Sequence, residues 1–227
     1  MAEENIRTFS IFGDSISTLQ GYNPPRYDVE YRGINRDRAE VFEMADTWWG
    51  MVIDHFGGRM LANNSYSGSM VTRFLTKLFP AGCSDERMDA LAEAGEPDVL
   101  LVELGMNDWN REKPVEEPEE GLEWCDAFEP SYTRMLEGLR ARFPRAEIWC
   151  LGLMYSKRLL KMYGPADIAG MEVYDAAIAR CAGRFGARMI DLYHTASPYS
   201  SWDLAHPDRE GMRTIADAVI RAMEAAQ

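Results

Sequence analysis

The sequence predicts an α/β protein in which helices cover both faces of a five-stranded parallel sheet, giving three layers. Two observations lead to this fold class. Five short apolar runs typical of strands alternate with patterns typical of helices, as in proteins built on a parallel sheet. The middle run is almost continuously apolar, which fits a strand buried on both faces. The chain has 227 residues and no internal repeat, so one domain spanning residues 1–227 is expected.

Each strand is predicted from a short apolar run bounded by polar residues or glycine. The middle run, DVLLVEL, is apolar apart from its ends, although periodicity alone does not distinguish a buried strand from a buried helix. The alternation with helical segments favours the strand, because a parallel sheet needs a crossover between successive strands. The predicted strands cover residues 7–12, 59–63, 98–104, 146–153 and 187–193.

Helices are predicted where apolar residues recur at spacings of three and four. This pattern places one apolar stripe on a helix face in residues 171–185 and again in residues 212–223. Residues 46–56 and 84–95 are also predicted to be helical. The second of these begins with acidic residues and ends at Gly95, as the helix dipole and the preference for glycine after a helix favour.

Two long stretches follow neither pattern and are predicted to be irregular. Residues 18–46 are rich in tyrosine, proline, arginine and acids, and residues 109–124 contain the acidic run EKPVEEPEEG. The acidic run is interpreted as a solvated loop. Long loops in a compact domain often cover a functional site, and the strand pattern continues on either side, so these stretches are not domain linkers.

The composition excludes several classes of partner. Hydrophobic residues make up 46% of the chain, charged residues 27%, and the formal net charge is −13. Such a charge repels nucleic acid and anionic membranes, and no apolar run reaches the length of a membrane span. The N-terminal sequence lacks the basic and apolar regions of a signal peptide. The four cysteines show no close pairing, which predicts a reduced, cytoplasmic protein.

Small polar residues and glycine follow the first three predicted strands. The first strand ends in GDS, the second in NNSYSGS and the third in GMND. Ligands of parallel sheets bind beyond the carboxyl ends of the strands, so three such clusters at one edge predict a shared pocket. Ser15 follows the first strand directly; it is either a helix cap or a nucleophile, and a nucleophilic serine needs a base.

Three histidines are available as that base. His55 lies within a predicted helix and is interpreted as structural. The other two, His194 and His206, each follow an aspartate by three residues, in DLYH and DLAH. Both pairs remain candidates on the residues alone, and His206 is favoured because its loop leads through Pro207 into the last helix.

Four sequence blocks, taken together, resemble the SGNH or GDSL hydrolase superfamily over nearly the whole chain. The blocks are FGDSIS, NNSYSG, VELGMND and DLAHP, in that order. One block departs from the common pattern, since Ser65 stands where the second block often has glycine. The resemblance implies a flavodoxin-like three-layer fold and hydrolysis of esters without a metal or an organic cofactor.

Carried over to this sequence, the resemblance implies a nucleophile, a base and an acid at Ser15, His206 and Asp203. It also implies that the backbone N–H groups of Ser15 and Gly68 and the side-chain amide of Asn107 stabilise the oxyanion. The block that carries Ser15 differs from the Gly-x-Ser-x-Gly nucleophile elbow of other serine hydrolases. The chain has no Gly-x-Ser-x-Gly sequence.

Three aromatic residues within or beside the blocks are candidates for substrate binding: Tyr66, Trp109 and Trp202. The alternative is that they pack the rim or the core. The leading hypothesis is a serine esterase that removes small acyl groups, such as acetyl, from a carbohydrate or another small ester. Hydrolysis of thioesters or lysophospholipids is the alternative within the family, and a catalytically inactive ligand-binding domain is the alternative outside it. The sequence makes no prediction of oligomeric state.

Overall fold

The computed structural model describes residues 6–73 and 79–226. Within them, five strands form one parallel sheet in the order β2-β1-β3-β4-β5. This confirms the predicted fold class, because helices cover both faces of the sheet. The strands are β1 (Thr8–Gly13), β2 (Arg59–Asn63), β3 (Val99–Glu103), β4 (Glu147–Leu151) and β5 (Arg188–Ile190).

Helices occupy the connections between the strands and the C-terminal part of the chain. Ten α-helices lie within the described residues, along with short 3-10 helices at Ser15–Ser17, Met44–Asp46 and Trp124–Asp126. The α-helices are α1 (Gly33–Ala39), α2 (Trp48–His55), α3 (Asp85–Ala92), α4 (Met106–Asn110), α5 (Phe128–Arg142), α6 (Lys157–Tyr163), α7 (Pro165–Ile168), α8 (Met171–Arg184), α9 (Leu192–Thr195) and α10 (Arg209–Ala225).

The central strand β3 divides two apolar cores. Leu100 and Val102 pack with residues of α3, α5 and α8 on one face of the sheet. Val99 and Leu101 pack with residues of α2 and α10 on the other face. Successive side chains of a strand point to opposite faces, so a continuously apolar strand has to be covered on both sides. The apolar middle run is therefore the strand that the sequence predicted.

The last predicted strand was too long. Residues 187–193 were expected to be extended, but β5 ends at Ile190. The carboxylate of Asp191 accepts a hydrogen bond from the backbone N–H of His194 at 3.0 Å and so caps the short helix α9. An aspartate at this position favours the start of a helix. The buried Leu192 that follows it therefore belongs to α9 and not to the strand.

The prediction that residues 18–46 are irregular was wrong in part. They contain α1 and the 3-10 helix Met44–Asp46. Ala39 is the one buried residue of α1, so the sequence carries no apolar stripe at helical spacing there. The second irregular stretch was predicted over residues 109–124. Residues 111–123 contain no helix or strand, but residues 109–110 end α4 and Trp124 begins a 3-10 helix.

The carboxyl ends of β1 and β3 lie side by side, and this arrangement places the polar clusters. Gly13 at the end of β1 pairs with Glu103 at the end of β3, and β2 ends at Asn63 beside β1. The loops that follow these strands therefore start at one edge of the sheet. No helix of the described residues is long and apolar enough to span a bilayer.

Candidate active site

Ser15 lies at the point where β1 gives way to a 3-10 turn. The carboxylate of Asp14 accepts a hydrogen bond from the backbone N–H of Ile16 at 3.0 Å and caps this turn. Gly13, the last residue of β1, leaves no room for a side chain, because a Cβ there would lie 2.7 Å from the Oγ of Ser17. Ser15 is 6% exposed. The turn thus places its hydroxyl at the carboxyl edge of the sheet.

His206 connects Ser15 to Asp203. The Nε2 of His206 lies 3.0 Å from the Oγ of Ser15, and its Nδ1 lies 2.7 Å from Oδ2 of Asp203. The other carboxylate oxygen, Oδ1, accepts hydrogen bonds from the backbone N–H groups of Ala205 and His206 at 2.8 and 2.6 Å. One aspartate therefore shapes the loop and orients the imidazole in it.

The surroundings of this pair shift both of its pKa values. Burial lowers the pKa of His206, but the hydrogen bond to Asp203 and the negative charge of Glu30 outweigh it, so the pKa lies above its ordinary value. Burial raises the pKa of Asp203, but hydrogen bonds from the side chain and backbone of His206 bring it below its ordinary value. Near neutral pH the aspartate is therefore ionised, and a neutral imidazole that donates from Nδ1 has Nε2 free to accept a proton from Ser15.

Two backbone N–H groups near the serine have no acceptor among the described residues: those of Ser15 and Gly68. Gly68 has a φ of 72°, a left-handed conformation that glycine adopts without strain. The side-chain amide of Asn107 donates to Oδ2 of Asp14 at 3.1 Å and to the carbonyl of Ser69 at 2.9 Å. These contacts hold the amide between the Ser15 turn and the loop that follows β2.

Comparisons with known proteins show which family the chain belongs to. Residues 7–223 match the model of the GDSL-like lipase/acylhydrolase family. The chain belongs to this family. The protein is accordingly an ester-bond hydrolase with an esterase or acylhydrolase activity. A comparison with curated protein sequences finds no match.

Solved structures share the fold of this GDSL-like hydrolase. A candidate GDSL-like lipase from Bacteroides uniformis is 24% identical with a TM-score of 0.74, and the match covers 98% of this chain and 97% of that one. Another from Bacteroides ovatus is 24% identical with a TM-score of 0.73, covering 98% and 100%. Est24, a carbohydrate acetylesterase from Sinorhizobium meliloti, is 12% identical with a TM-score of 0.63, covering 97% and 100%.

The second Asp-x-x-His pair of the GDSL-like hydrolase is formed but lies apart from the serine. The Nδ1 of His194 lies 2.9 and 3.1 Å from the two carboxylate oxygens of Asp191. Its Nε2 faces Glu172 at 3.8 Å, and its side chain is half exposed. The third histidine, His55, lies on the surface with its Nε2 2.9 Å from Glu224. Of the three histidines, which all lie within the described residues, His206 is the one hydrogen-bonded to the hydroxyl of Ser15.

Two groups of three side chains in the described residues have ligand atoms close enough to hold a metal ion. The first is Glu30 with Asp203 and His206, and the second is the buried Asp175 with Asp191 and His194. The first group already surrounds the imidazole that contacts Ser15. Its carboxylates are thus placed to act on the protonation of His206.

The three aromatic candidates lie in different surroundings. Tyr66 is 2% exposed, and its hydroxyl donates to the carbonyl of Pro80 at 2.8 Å. Trp202 is half-buried and stacks on His206, with ring centroids 6.1 Å apart and planes 19° apart. Trp109 is half-buried on the wall of a groove of about 440 Å³, whose other walls are Asn110, Glu112, Tyr163 and Asp167. Trp202 thus contacts the histidine, and Trp109 faces a groove that begins on α4, the helix that carries Asn107.

Asp14 and Asp108 hold the loops around the site in place. The carboxylate of Asp108 accepts hydrogen bonds from the backbone N–H groups of Val71 and Thr72 at 2.9 and 3.0 Å. Burial raises the pKa of Asp108 to about 6 in spite of these hydrogen bonds. The loop after β2 is thereby tied to α4, which carries Asn107.

Arg87 is a buried residue of the site that the sequence analysis missed. Its guanidinium is 0% exposed and donates to the carbonyl oxygens of Gly13 and Asn64, at 2.7 and 2.9 Å, and to the hydroxyl of Ser69. It thus joins the end of β1 to the loop that carries Gly68. The one signal in the sequence is its spacing of four residues from Leu91, which places a cation on the apolar face of α3.

Proposed function

We propose that this GDSL-like hydrolase is a serine esterase that works through an acyl-enzyme on Ser15. The observation that carries the proposal is the continuous chain of contacts from Ser15 through His206 to Asp203, at 3.0 and 2.7 Å. A serine hydroxyl is a weak nucleophile until a base accepts its proton. The imidazole meets that need, and the aspartate stabilises the positive charge that the imidazole then carries.

The reaction has two acyl transfers. In the first, Oγ of Ser15 attacks the ester carbonyl while Nε2 of His206 takes the hydroxyl proton. The tetrahedral intermediate then expels the alcohol, which takes the proton from Nε2, and the acyl group stays on Oγ. In the second, His206 takes a proton from water while the water oxygen attacks the acyl carbonyl. The second intermediate then expels Oγ of Ser15, which takes the proton from Nε2, and the carboxylic acid leaves.

The oxyanion of each intermediate needs hydrogen-bond donors. The N–H groups of Ser15 and Gly68 have no acceptor within the described residues, which leaves them available to a ligand. The amide of Asn107 is already bonded to Asp14 and to the carbonyl of Ser69. It contributes to the oxyanion by sharing one of these hydrogens, and each such donor is worth about 3 kcal/mol in the transition state.

The proposed substrates are esters of small acyl groups, such as acetyl, on a carbohydrate or a similar polar alcohol. The groove lined by Trp109 supports this proposal, because its aromatic rings can stack on the C–H face of a sugar while the carboxylates of Glu112 and Asp167 accept hydrogen bonds from sugar hydroxyls. The cavity next to Ile16, which is lined by apolar side chains and by Glu103, holds about 20 Å³, room for about one water molecule and not for an alkyl chain. The Sinorhizobium meliloti enzyme of the same fold is a carbohydrate acetylesterase.

A fluorophosphonate probe tests the nucleophile. We expect the wild-type protein to be labelled on Ser15, as mapped by mass spectrometry of the digested protein, and the Ser15→Ala variant to remain unlabelled. Labelling of neither protein would contradict the proposed mechanism and favour a ligand-binding domain without catalysis.

Substrate profiling tests the acyl group and the alcohol. We expect acetylated monosaccharides to be cleaved with higher kcat/KM than p-nitrophenyl octanoate, a lysophospholipid or an acyl thioester. The variant Trp109→Ala should lose more activity towards the acetylated sugar than towards p-nitrophenyl acetate, because the latter does not reach the groove. A preference for long acyl chains would instead indicate a lipid or thioester substrate.

A further inference from the structure

A second carboxylate, that of Glu30, lies beside the histidine of the site. Its Oε1 is 3.8 Å from Nδ1 of His206, the nitrogen that also contacts Asp203 at 2.7 Å. The Glu30 side chain is 13% exposed. A separation of 3.8 Å is too long for a hydrogen bond, so Glu30 acts on the imidazole through its charge. Water screens that interaction less than it would at the surface, because both side chains are largely enclosed by protein.

Two hydrogen bonds hold the carboxylate of Glu30 in place, and a third holds its backbone. Its Oε1 accepts from the side-chain amide of Asn35 at 2.9 Å, and its Oε2 accepts from the hydroxyl of Ser67 at 3.3 Å. The backbone N–H of Glu30 donates to Oγ1 of Thr18 at 2.9 Å, and the same hydroxyl donates to the carbonyl of Ser15 at 2.8 Å. The position of Glu30 is therefore coupled to the turn that carries the nucleophile.

The backbone around Glu30 is anchored to the two loops that flank Ser15. The hydroxyl of the fully buried Tyr31 donates to the carbonyl of Pro207, next to His206, at 2.9 Å. The carbonyl of Asp28 accepts from the backbone N–H of Ser67, next to Gly68, at 2.8 Å. The segment from Asp28 to Tyr31 thus contacts the histidine loop on one side and the glycine loop on the other.

We propose that Glu30 is a positioning residue that stabilises, together with Asp203, the imidazolium form of His206 during acyl transfer. This inference rests on the proposed function, since it concerns the proton that His206 takes from Ser15. Residues 18–46 lie outside the four sequence blocks. Through Glu30 they place a negative charge beside Nδ1 of the imidazole and so take part in catalysis.

The effect of removing the charge of Glu30 on the titration of His206 depends on the other charges around the imidazole. Asp203 on the same loop and Asp14 at the end of β1 are the further carboxylates whose charge acts on it. Tyr31 and Tyr199 face these carboxylates and are both buried. Removal of one of three negative charges should favour the neutral imidazole, so that the histidine titrates at a lower pH.

The variant Glu30→Gln tests the role of the charge, because the amide keeps the size of the side chain and can still bond to Asn35 and Ser67. We expect the titration midpoint of the His206 ring, followed by NMR, to fall by about half a pH unit or more, and the acid limb of kcat/KM to move with it. We expect kcat to fall about 3- to 10-fold with KM nearly unchanged, as for a group that acts in the transition state.

Asp28→Asn is the matched control. It removes one negative charge from the same segment, but its carboxylate is exposed and faces Arg32 at 3.9 Å. We expect both the His206 titration and kcat to match the wild type. An equal shift in both variants would overturn the proposal, since it would reflect net charge and not the position of Glu30.

A double variant separates charge stabilisation from structural support. In an Asp203→Asn background, Glu30 is the nearest remaining carboxylate, so Glu30→Gln should cost a larger factor in kcat there than in the wild type. The proposal would be overturned if Glu30→Ala lost activity while Glu30→Gln kept the wild-type kcat and titration. Glu30 would then only support the structure of the loop. The NMR midpoint does not depend on turnover, so a failure of Ser15 labelling would contradict the proposed function without hiding this result.

Discussion

The Nε2 of His206 lies 3.0 Å from the Oγ of Ser15, although 191 positions separate the two residues in the sequence. Ser15 follows the first strand, and His206 precedes the last helix. The contact forms because the parallel sheet brings the carboxyl end of β1 to the edge where the loop before α10 also lies.

The first prediction concerns the nucleophile. Ser15→Ala should abolish turnover of p-nitrophenyl acetate, because within the described residues no other hydroxyl is hydrogen-bonded to the ring of His206. The thermal melt should stay close to that of the wild type, since the change removes a single oxygen at the end of the turn. Steady-state kinetics and a melting curve on the same preparation check this, and full activity in the variant would exclude Ser15.

The second prediction distinguishes the two Asp-x-x-His pairs. His206→Ala should lower kcat about 10³-fold or more, as the loss of a base does in serine hydrolases. His194→Ala is the matched control and should stay within a few-fold of the wild type, because His194 bonds to Asp191 and faces Glu172. The reverse result would assign the base to His194.

The third prediction concerns Asn107. Asn107→Ala should lower kcat about 10²- to 10³-fold with KM little changed, because an oxyanion donor acts in the transition state. Circular dichroism and the melting temperature should be compared in parallel, since the amide also bonds to Asp14 and to the carbonyl of Ser69. A large rise in KM at constant kcat would indicate that the amide binds the substrate in its ground state instead.

The fourth prediction is the pH dependence. The pKa of His206 is raised above 6.5, and the ring must be neutral to accept the proton, so kcat/KM should fall on acidification with a midpoint above pH 6.5. A profile from pH 5 to 9 checks this, and a midpoint below 6.5 would contradict it.

The same shifts predict the direction of the change in stability. A raised histidine pKa contributes stability that is complete below pH 6.5 and lost as the pH rises through the folded-state pKa. The lowered pKa of Asp203 contributes stability above pH 3.8 that is lost as the pH falls through its folded-state pKa. Melting temperatures of the wild type and His206→Ala, measured across the same range, should converge at the alkaline end.

The fifth prediction concerns Arg87. Arg87→Ala should lower the free energy of unfolding by about 3 kcal/mol or more, because it leaves several buried acceptors unpaired. Arg145→Ala is the control, since its side chain is 86% exposed, and its melt should match the wild type. Urea unfolding measures both, and equal curves for the two variants would show that the buried contacts of Arg87 do not support the fold.

The sequence by itself determined the fold class and the residues of the local blocks. Each signal depends on neighbours along the chain: the apolar run of β3, the glycine before Asp14, and the spacing of Asp203 and His206. Such local patterns determine which residues form a strand, a turn or a cap. The same local reasoning failed for β5, where the cap at Asp191 ended the strand early, and for α1, which buries little apolar surface.

Only the tertiary structure decided which groups meet across the sheet edge. On the residues alone, His194 and His206 stood as alternatives, and the contact with Ser15 favours His206. Glu30 and Arg87 carried no motif, because their partners lie on other strands and loops. The effect of a charge on another group depends on their separation and on burial. Both are properties of the folded chain, and the sequence gives neither.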